Sequence, residues 1–278
     1  MAESFRNRAV LITGASQGIG RELALQLASE GARLVLASRN SGPLDEVTRE
    51  CIARGAEAVA VPADLAEQAA CRELVSAAVK AFGPLDMVIN NAGVSMYAPF
   101  ASVRDPAMVE RIARVNYLGP MYLTWYALPH LRQTRGRIVA VASLAAKFPG
   151  PGGTGYVASK WAMAGFFESL RTELRGDGVS VTTAYPGFVR TGIYTRFLNG
   201  EGVPGPDMTA RVPRLAMISV ERCAARVLAA ARRRRRSAMP TVMERMILAV
   251  NRLAPRLVEF FWQRTLARDF PPAAEARG

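Results

Sequence analysis

The tightest constraint on the fold lies near the start of the chain, where Ala9-Val10-Leu11-Ile12 runs straight into Thr13-Gly14-Ala15-Ser16-Gln17-Gly18-Ile19-Gly20. A short apolar run, then closely spaced glycines, then a helical pattern predicts strand, tight turn and helix. Glycine lets the backbone turn sharply and lets another group come close. A helix beginning there points free N–H groups and a partial positive charge at whatever occupies the turn, which suits a phosphate. The spacing is Gly-x-x-x-Gly-x-Gly rather than Gly-x-Gly-x-x-Gly.

Similar apolar runs recur at Arg33–Ala37, Ala58–Val61, Met87–Asn90, Arg137–Ala142 and Val179–Ala184. Helical patterns lie between them, near 18–30, 43–54, 67–82, 106–132 and 155–175. Continuous apolar strands alternating with helices predict a parallel sheet buried on both faces, a doubly wound α/β fold. At the end of the second expected strand stand Ser38 and Arg39. An acidic residue there would hold a ribose 2′-hydroxyl, whereas a guanidinium pairs with a 2′-phosphate, so this end predicts NADP(H) in preference to NAD(H).

Lysine occurs only at positions 80, 147 and 160 among 36 basic residues. Lys160 follows Tyr156 by four, one helical turn away on the same face, with Ser143 upstream. An ammonium beside a phenol favours the phenolate, so the pair predicts a tyrosine acid/base working near neutral pH. The single histidine and three scattered cysteines, Cys51, Cys71 and Cys223, form neither a triad nor a metal or disulfide pattern. The polar segment before Ala9 predicts no secretory leader, and no charge-free apolar stretch reaches the about 18 residues of a membrane span. A cytoplasmic protein is expected.

Thr13–Gly20, Asp64-Leu65, Asn90-Asn91-Ala92-Gly93, Asn116, Ser143, Tyr156-x-x-x-Lys160 and Pro186-Gly187 … Thr191 follow one another in an order and spacing that resembles the short-chain dehydrogenase/reductase family over residues 5 to about 240. The resemblance implies a Rossmann-type catalytic domain over 1–240 and hydride transfer between a nicotinamide and an alcohol or ketone. It implies that Gly14, Ser16, Gln17, Gly18, Ile19 and Gly20 cradle the cofactor phosphates. Asp64 would accept a bond from the adenine amino group, with Leu65, Asn91, Ala92 and Gly93 giving close backbone contact. Pro186, Gly187, Val189 and Thr191 would line the nicotinamide side. Tyr156 would be the proton donor, Ser143 would hold the substrate oxygen, Lys160 would bind the nicotinamide ribose and acidify Tyr156, and Asn116 would link Lys160 to water. A homodimer or homotetramer is implied, and no metal.

Two segments stand outside those motifs. Residues 188–215 are broken by glycine and proline and predict a substrate lid. Its Phe188, Ile193, Tyr194, Phe197, Leu198 and Met208, with Met96, Tyr97 and Phe100, predict an apolar wall and a steroid-, retinoid- or lipid-like substrate. Reduction of a 3-oxoacyl thioester is the alternative, and a non-catalytic cofactor-binding scaffold is an alternative of another class. From residue 221 onward there are thirteen arginines against five acidic residues, five of them consecutive at Arg232–Arg236. Residues 241–278 predict an amphipathic helical extension. In Val242–Leu253 an apolar arc (Val242, Met243, Met246, Ile247, Ala249, Val250, Leu253) opposes Glu244, Arg245, Asn251 and Arg252. One reading packs this extension on the core or a dimer partner. The other lays 232–268 on an anionic membrane, with Phe260, Phe261 and Trp262 inserted and the arginine run on headgroups. One arginine run without a binding module does not predict nucleic-acid binding.

Overall fold

The structure is a computed structural model that describes residues 4–148, 150–209 and 217–269. The lid residues 210–215 and the tail after 269 fall outside them. Seven strands form one parallel sheet in the order β3-β2-β1-β4-β5-β6-β7. They are β1 (Ala9–Thr13), β2 (Arg33–Ser38), β3 (Glu57–Pro62), β4 (Met87–Asn90), β5 (Arg137–Val141), β6 (Ser180–Ala184) and β7 (Ser237–Ala238). Each expected strand is present with ends shifted by a residue or so, and the doubly wound α/β class holds.

The wholly apolar strands follow from cover on both faces. Alternate β1 side chains enter different cores: Val10 and Ile12 pack on one side, Ala9 and Leu11 on the other. In β2, Leu34 and Leu36 likewise oppose Val35 and Ala37. The first layer is built by α1 (Gly18–Ser29), α2 (Ser41–Ala53) and α7 (Val220–Arg232). The second is built by α3 (Gln68–Phe82), α5 (Gly119–Thr134) and α6 (Thr154–Glu173). The three cysteines are buried and unpaired, and burial pushes their thiols up to about 11 at Cys51 and about 12 at Cys71 and Cys223. They act as small apolar side chains, as their scatter predicts.

The stretch expected as one helix over 106–132 is interrupted. A π-turn, Arg114–Leu118, joins α4 (Ala107–Ala113) to α5. Such a turn re-aims one side chain, and here that side chain is Asn116.

Three of the five arginines in the run are taken up by the fold. Arg232 pairs with Glu30 and lies 5.1 Å from the centre of the Phe5 ring. Arg234, with a left-handed φ of 50°, donates to the carbonyls of Arg135 (2.8 Å) and Gly178 (2.9 Å). Arg236 pairs with Glu168 at 2.6 Å. Phe5, Glu30, Arg135 and Gly178 precede β1, β2, β5 and β6, so Arg232 and Arg234 lie at the amino-terminal edge of the sheet. For Arg232, Arg234 and Arg236 the reading that laid the run on lipid headgroups is corrected: Glu30, Glu168 and the carbonyls of Arg135, at the end of α5, and Gly178, before β6, hold their guanidinium groups.

The C-terminal extension is helical, as α8 (Val242–Leu253) and α9 (Pro255–Asp269). Its apolar arc is largely exposed, as are Arg245 and Arg252, and one member of the polar face turns inward. Glu244, placed on the solvent side by helical periodicity, is 3% exposed. Val242, Met246 and Leu253 are 67%, 63% and 84% exposed. The cause is a capping box, in which Thr241 and Glu244 satisfy each other's backbone N–H and turn the carboxylate inward. Trp262, expected beside Phe260 and Phe261 on the outside, instead stacks on Phe148 with ring centres 6.1 Å apart. Among the described residues no helix is long and apolar enough to cross a membrane.

Candidate active site

Strand order reverses between β1 and β4, which opens a crevice at the carboxyl ends of the strands. The crevice is a cleft of about 460 Å³. Its floor is a weld between the two central strands. Thr13 Oγ1 accepts the N–H groups of Asn91 (3.0 Å) and Ala92 (3.1 Å). The Asn91 carboxamide donates to the carbonyls of Thr13 (3.0 Å) and Gly14 (3.2 Å). A Cβ on Gly14 would come within 2.8 Å of Ala92 Cα, and one on Gly20 within 2.2 Å of the Gly14 oxygen. Only glycine fits either place.

Every expected cofactor contact except Gly20 lines this cleft. Gly20 packs beneath the turn instead. Gly14 and Gly18 both adopt left-handed φ angles, 64° and 55°, and α1 starts with no acidic residue in its first turn and no side-chain cap. That open helix start fits a pyrophosphate. Thr191, expected at the nicotinamide side, stands beside the phosphate turn: a Cβ on Gly18 would touch its methyl at 3.5 Å. Ser38 and Arg39 lie at the rim, and Arg39 is exposed.

Asp64 carries a partner that sequence reasoning missed. Its carboxylate pairs with Arg111 of α4 and also caps the Ala66 N–H at 3.1 Å. Burial opposes its charge, but the Arg111 bond prevails and holds the carboxyl below the usual range. A second missed residue is Arg196, which bonds Gln17 of the phosphate turn and the Gly192 carbonyl. Neither pairing leaves a local sequence signal, because the partners lie 47 and 179 residues apart.

The opposite wall carries the proton-transfer candidates. Tyr156 and Lys160 sit in the first turns of α6, and Ser143 caps the 3₁₀ turn after β5, accepting from Ala145 N at 3.1 Å. Burial pushes the Tyr156 phenol up, and a hydrogen bond with Ser143 pulls it partly back. Lys160 Nζ lies 5.9 Å from the Tyr156 ring centre and donates to the Val141 carbonyl at 3.1 Å. It has no carboxylate partner among the described residues, and burial lowers it to about 8. Burial is thus the largest influence on both groups, raising the phenol and lowering the amine.

Asn116 is wholly buried. Its Oδ1 accepts from Val94 N, and its Nδ2 donates to Val94 O and to Ser159 Oγ, all within 2.9 Å. Ser159 in turn donates to the Tyr156 carbonyl at 2.7 Å. Asn116 thus ties the segment after β4 to the turn that carries Tyr156. A Cβ on Gly93 would lie 3.4 Å from Lys160 Nζ, so the glycine leaves that amine room.

Over this wall the lid is pinned by backbone bonds from Tyr97 N to Leu198 O (2.9 Å) and Leu198 N to Ser95 O (3.0 Å). Tyr194 and Phe197 pack edge to face at 5.9 Å, with Tyr97 6.3 Å from Phe197. Phe100, expected on the same wall, is exposed on a 3₁₀ turn instead. Among the described residues no cluster of His, Cys, Asp and Glu is arranged to hold a metal.

The description "short chain dehydrogenase" belongs to the family model that matches residues 8–201. The 11-beta-hydroxysteroid dehydrogenase 1A of Arabidopsis thaliana is 34% identical over 264 residues, spanning 93% of this chain and 75% of that one. The 11-beta-hydroxysteroid dehydrogenase A of Sesamum indicum is 34% identical over 282 residues, spanning 100% and 81%. A short chain dehydrogenase/reductase from Burkholderia phymatum, solved in complex with NAD, superposes with a TM-score of 0.80 at 26% identity, covering 92% of this chain and 96% of that one. An alcohol dehydrogenase from Thermococcus sibiricus, complexed with 5-hydroxy-NADP, superposes at 0.71 with 26% identity over 84% and 95%.

Lys160 generates a pH prediction. Its folded value of about 8 lies below the unfolded lysine's 10.5, so folding releases a proton between those values and stability rises with pH there. In cofactor-free protein, urea unfolding should show wild type gaining up to about 3 kcal/mol relative to Lys160→Met between pH 7.5 and pH 10.5. Parallel pH profiles would contradict the burial of this amine.

Proposed function

The chain belongs to the short-chain dehydrogenase/reductase family and is an NAD(P)-dependent oxidoreductase, and from that premise we propose that it is an NADP(H)-dependent enzyme interconverting a hydrophobic alcohol and its ketone. The observation that carries this reading is the Ser143–Tyr156 pair on the wall of a glycine-floored cleft under an aromatic lid. The bound nicotinamide supplies or takes up the hydride. Tyr156, held as a neutral phenol, gives its proton to the carbonyl oxygen, and Ser143 orients that oxygen and supports its developing charge. Lys160, lowered by burial to about 8, stands on the next turn of α6, and its ammonium form supports the phenolate that Tyr156 becomes on giving up its proton. Asn116 fixes the α6 turn on which both stand. The catalytic unit is taken as residues 1–240, with 188–215 as its lid and 241–278 as an extension.

The hydrophobic substrate rests on Tyr97, Tyr194, Phe197 and Leu198, which offer few polar anchors, and on relatives named as hydroxysteroid dehydrogenases. The NADP(H) preference rests on Arg39 at the end of β2, where no carboxylate competes for a 2′-phosphate.

The extension is read as a peripheral attachment to an anionic lipid surface. Val242, Met246, Leu253 and Phe261 point outward, and Arg245, Arg252 and Arg256 accompany them in a chain of net charge +13. The surface is restricted to 242–264, since Arg232, Arg234 and Arg236 are bound elsewhere.

Tyr156→Phe should lower kcat for a ketone substrate by at least ~10³-fold with the Kd for NADPH within about threefold of wild type; a variant of full activity would remove Tyr156 as the acid. Arg39→Asp should reverse the ratio of kcat/KM for NADPH over NADH by about two orders of magnitude; a wild type preferring NADH would contradict the role of Arg39. Wild type should co-sediment with phosphatidylserine vesicles at low salt, and Leu253→Ser/Phe261→Ser should not. If the double variant instead turns a dimer or tetramer into monomer while wild type ignores vesicles, the outward face is a self-association surface.

A further inference from the structure

The family model ends at residue 201, yet a side chain far beyond it bonds a loop that lines the cleft. Glu244, in the first turn of α8, divides its two oxygens between two backbones. Oε2 accepts from Thr241 N at 2.8 Å, and Oε1 accepts from Gly187 N at 2.7 Å. Thr241 Oγ1 returns a bond to Glu244 N at 3.3 Å. The box alone accounts for Oε2 and explains the helix start. It does not account for Oε1, which leaves its own element to reach the loop after β6.

That loop is gripped from both sides. The Pro186 carbonyl accepts from Leu144 N at 2.9 Å, next to Ser143, and Gly187 N is held by Glu244. A Cβ at position 187 would lie 3.0 Å from Oε1, so a glycine is what admits the carboxylate so closely. The start of α8 is itself anchored: Arg226 of α7 donates to the Pro240 carbonyl. Burial raises the Glu244 carboxyl, against the pull of the Thr241 and Gly187 N–H groups and of Arg226. A desolvated carboxylate that serves only as a helix cap would normally stay in water.

We propose that Glu244 is a positioning residue for the cofactor loop: through its bond to Gly187 it sets the path of Pro186–Thr191 beside Ser143 and Tyr156. The proposal rests on the reading of that loop as the nicotinamide side of the site.

The test compares full-length wild type, Thr241→Val, Glu244→Ala, Glu244→Gln and Glu244→Asp. Four quantities are measured: Tm, Kd for NADPH, Kd for 2′,5′-ADP (which lacks the nicotinamide), and kcat for one ketone. Thr241→Val and Glu244→Ala should lose similar amounts of Tm, because each breaks the cap. Only Glu244→Ala should weaken NADPH and lower kcat, each by about tenfold, while 2′,5′-ADP binding is unchanged. Glu244→Gln keeps an oxygen for Gly187 and should recover kcat to within about threefold. Glu244→Asp keeps the charge at the helix start but withdraws from Gly187, so it should retain Tm and lose kcat; it carries the test if the alanine variant does not fold. Equal kcat in Thr241→Val and Glu244→Ala, or a parallel loss of 2′,5′-ADP and NADPH, would overturn the proposal. A wild type that binds 2′,5′-ADP but gains nothing from the nicotinamide half of NADPH would instead refute the reading of the loop.

Discussion

The structure depends on the joint between β1 and β4. The strands are neighbours in the sheet but far apart in the chain, and their carboxyl ends are locked by Thr13 and Asn91. Two side chains satisfy backbone groups that the diverging strands would otherwise leave open at a buried position. The glycine turn can then pass within contact distance of Ala92, and the helix start behind it faces the cleft. The glycine turn, the cleft floor and the wall that carries Ser143, Tyr156 and Lys160 all take their places around this one crossing.

The electrostatics of the wall that carries Tyr156 and Lys160 follow exclusion of water more than pairing of charges. Lys160 and Tyr156 share a face of α6, as their spacing predicts, yet each responds mainly to burial. Desolvation disfavours both ammonium and phenolate, so it drives the lysine down and the tyrosine up. The tyrosine is left carrying its proton, and the lysine becomes the group whose charge changes near neutral pH.

Much of this was legible in the sequence, for a physical reason: features that repeat locally leave local patterns. The strands show because both faces of a parallel sheet are covered, and the turn shows because only glycine adopts its angles. Tyr156, Lys160 and Ser143 show because helix period and strand ends fix their relation. What stayed hidden depends on distant partners. Nothing near Asp64 announces Arg111, and nothing near Gln17 announces Arg196. The arginine run reads as a free charged patch because the partners of Arg232, Arg234 and Arg236 come from distant parts of the chain, at the ends of α1 and α5, before β6 and on α6. Helical periodicity found the apolar arc of α8 but not the inward turn of Glu244, since it cannot weigh one capping carboxylate against a row of apolar side chains.

The reach of Glu244 also bears on what each half of the cleft needs from the chain. Every bond of the weld under the glycine turn lies within the first third of the sequence. The loop at Gly187 has no such autonomy: its second anchor stands 57 residues further on, after β7 has closed the sheet. A chain cut short of α8 would still carry both partners of every bond in the weld, but would lose one of the two grips on the loop that follows β6.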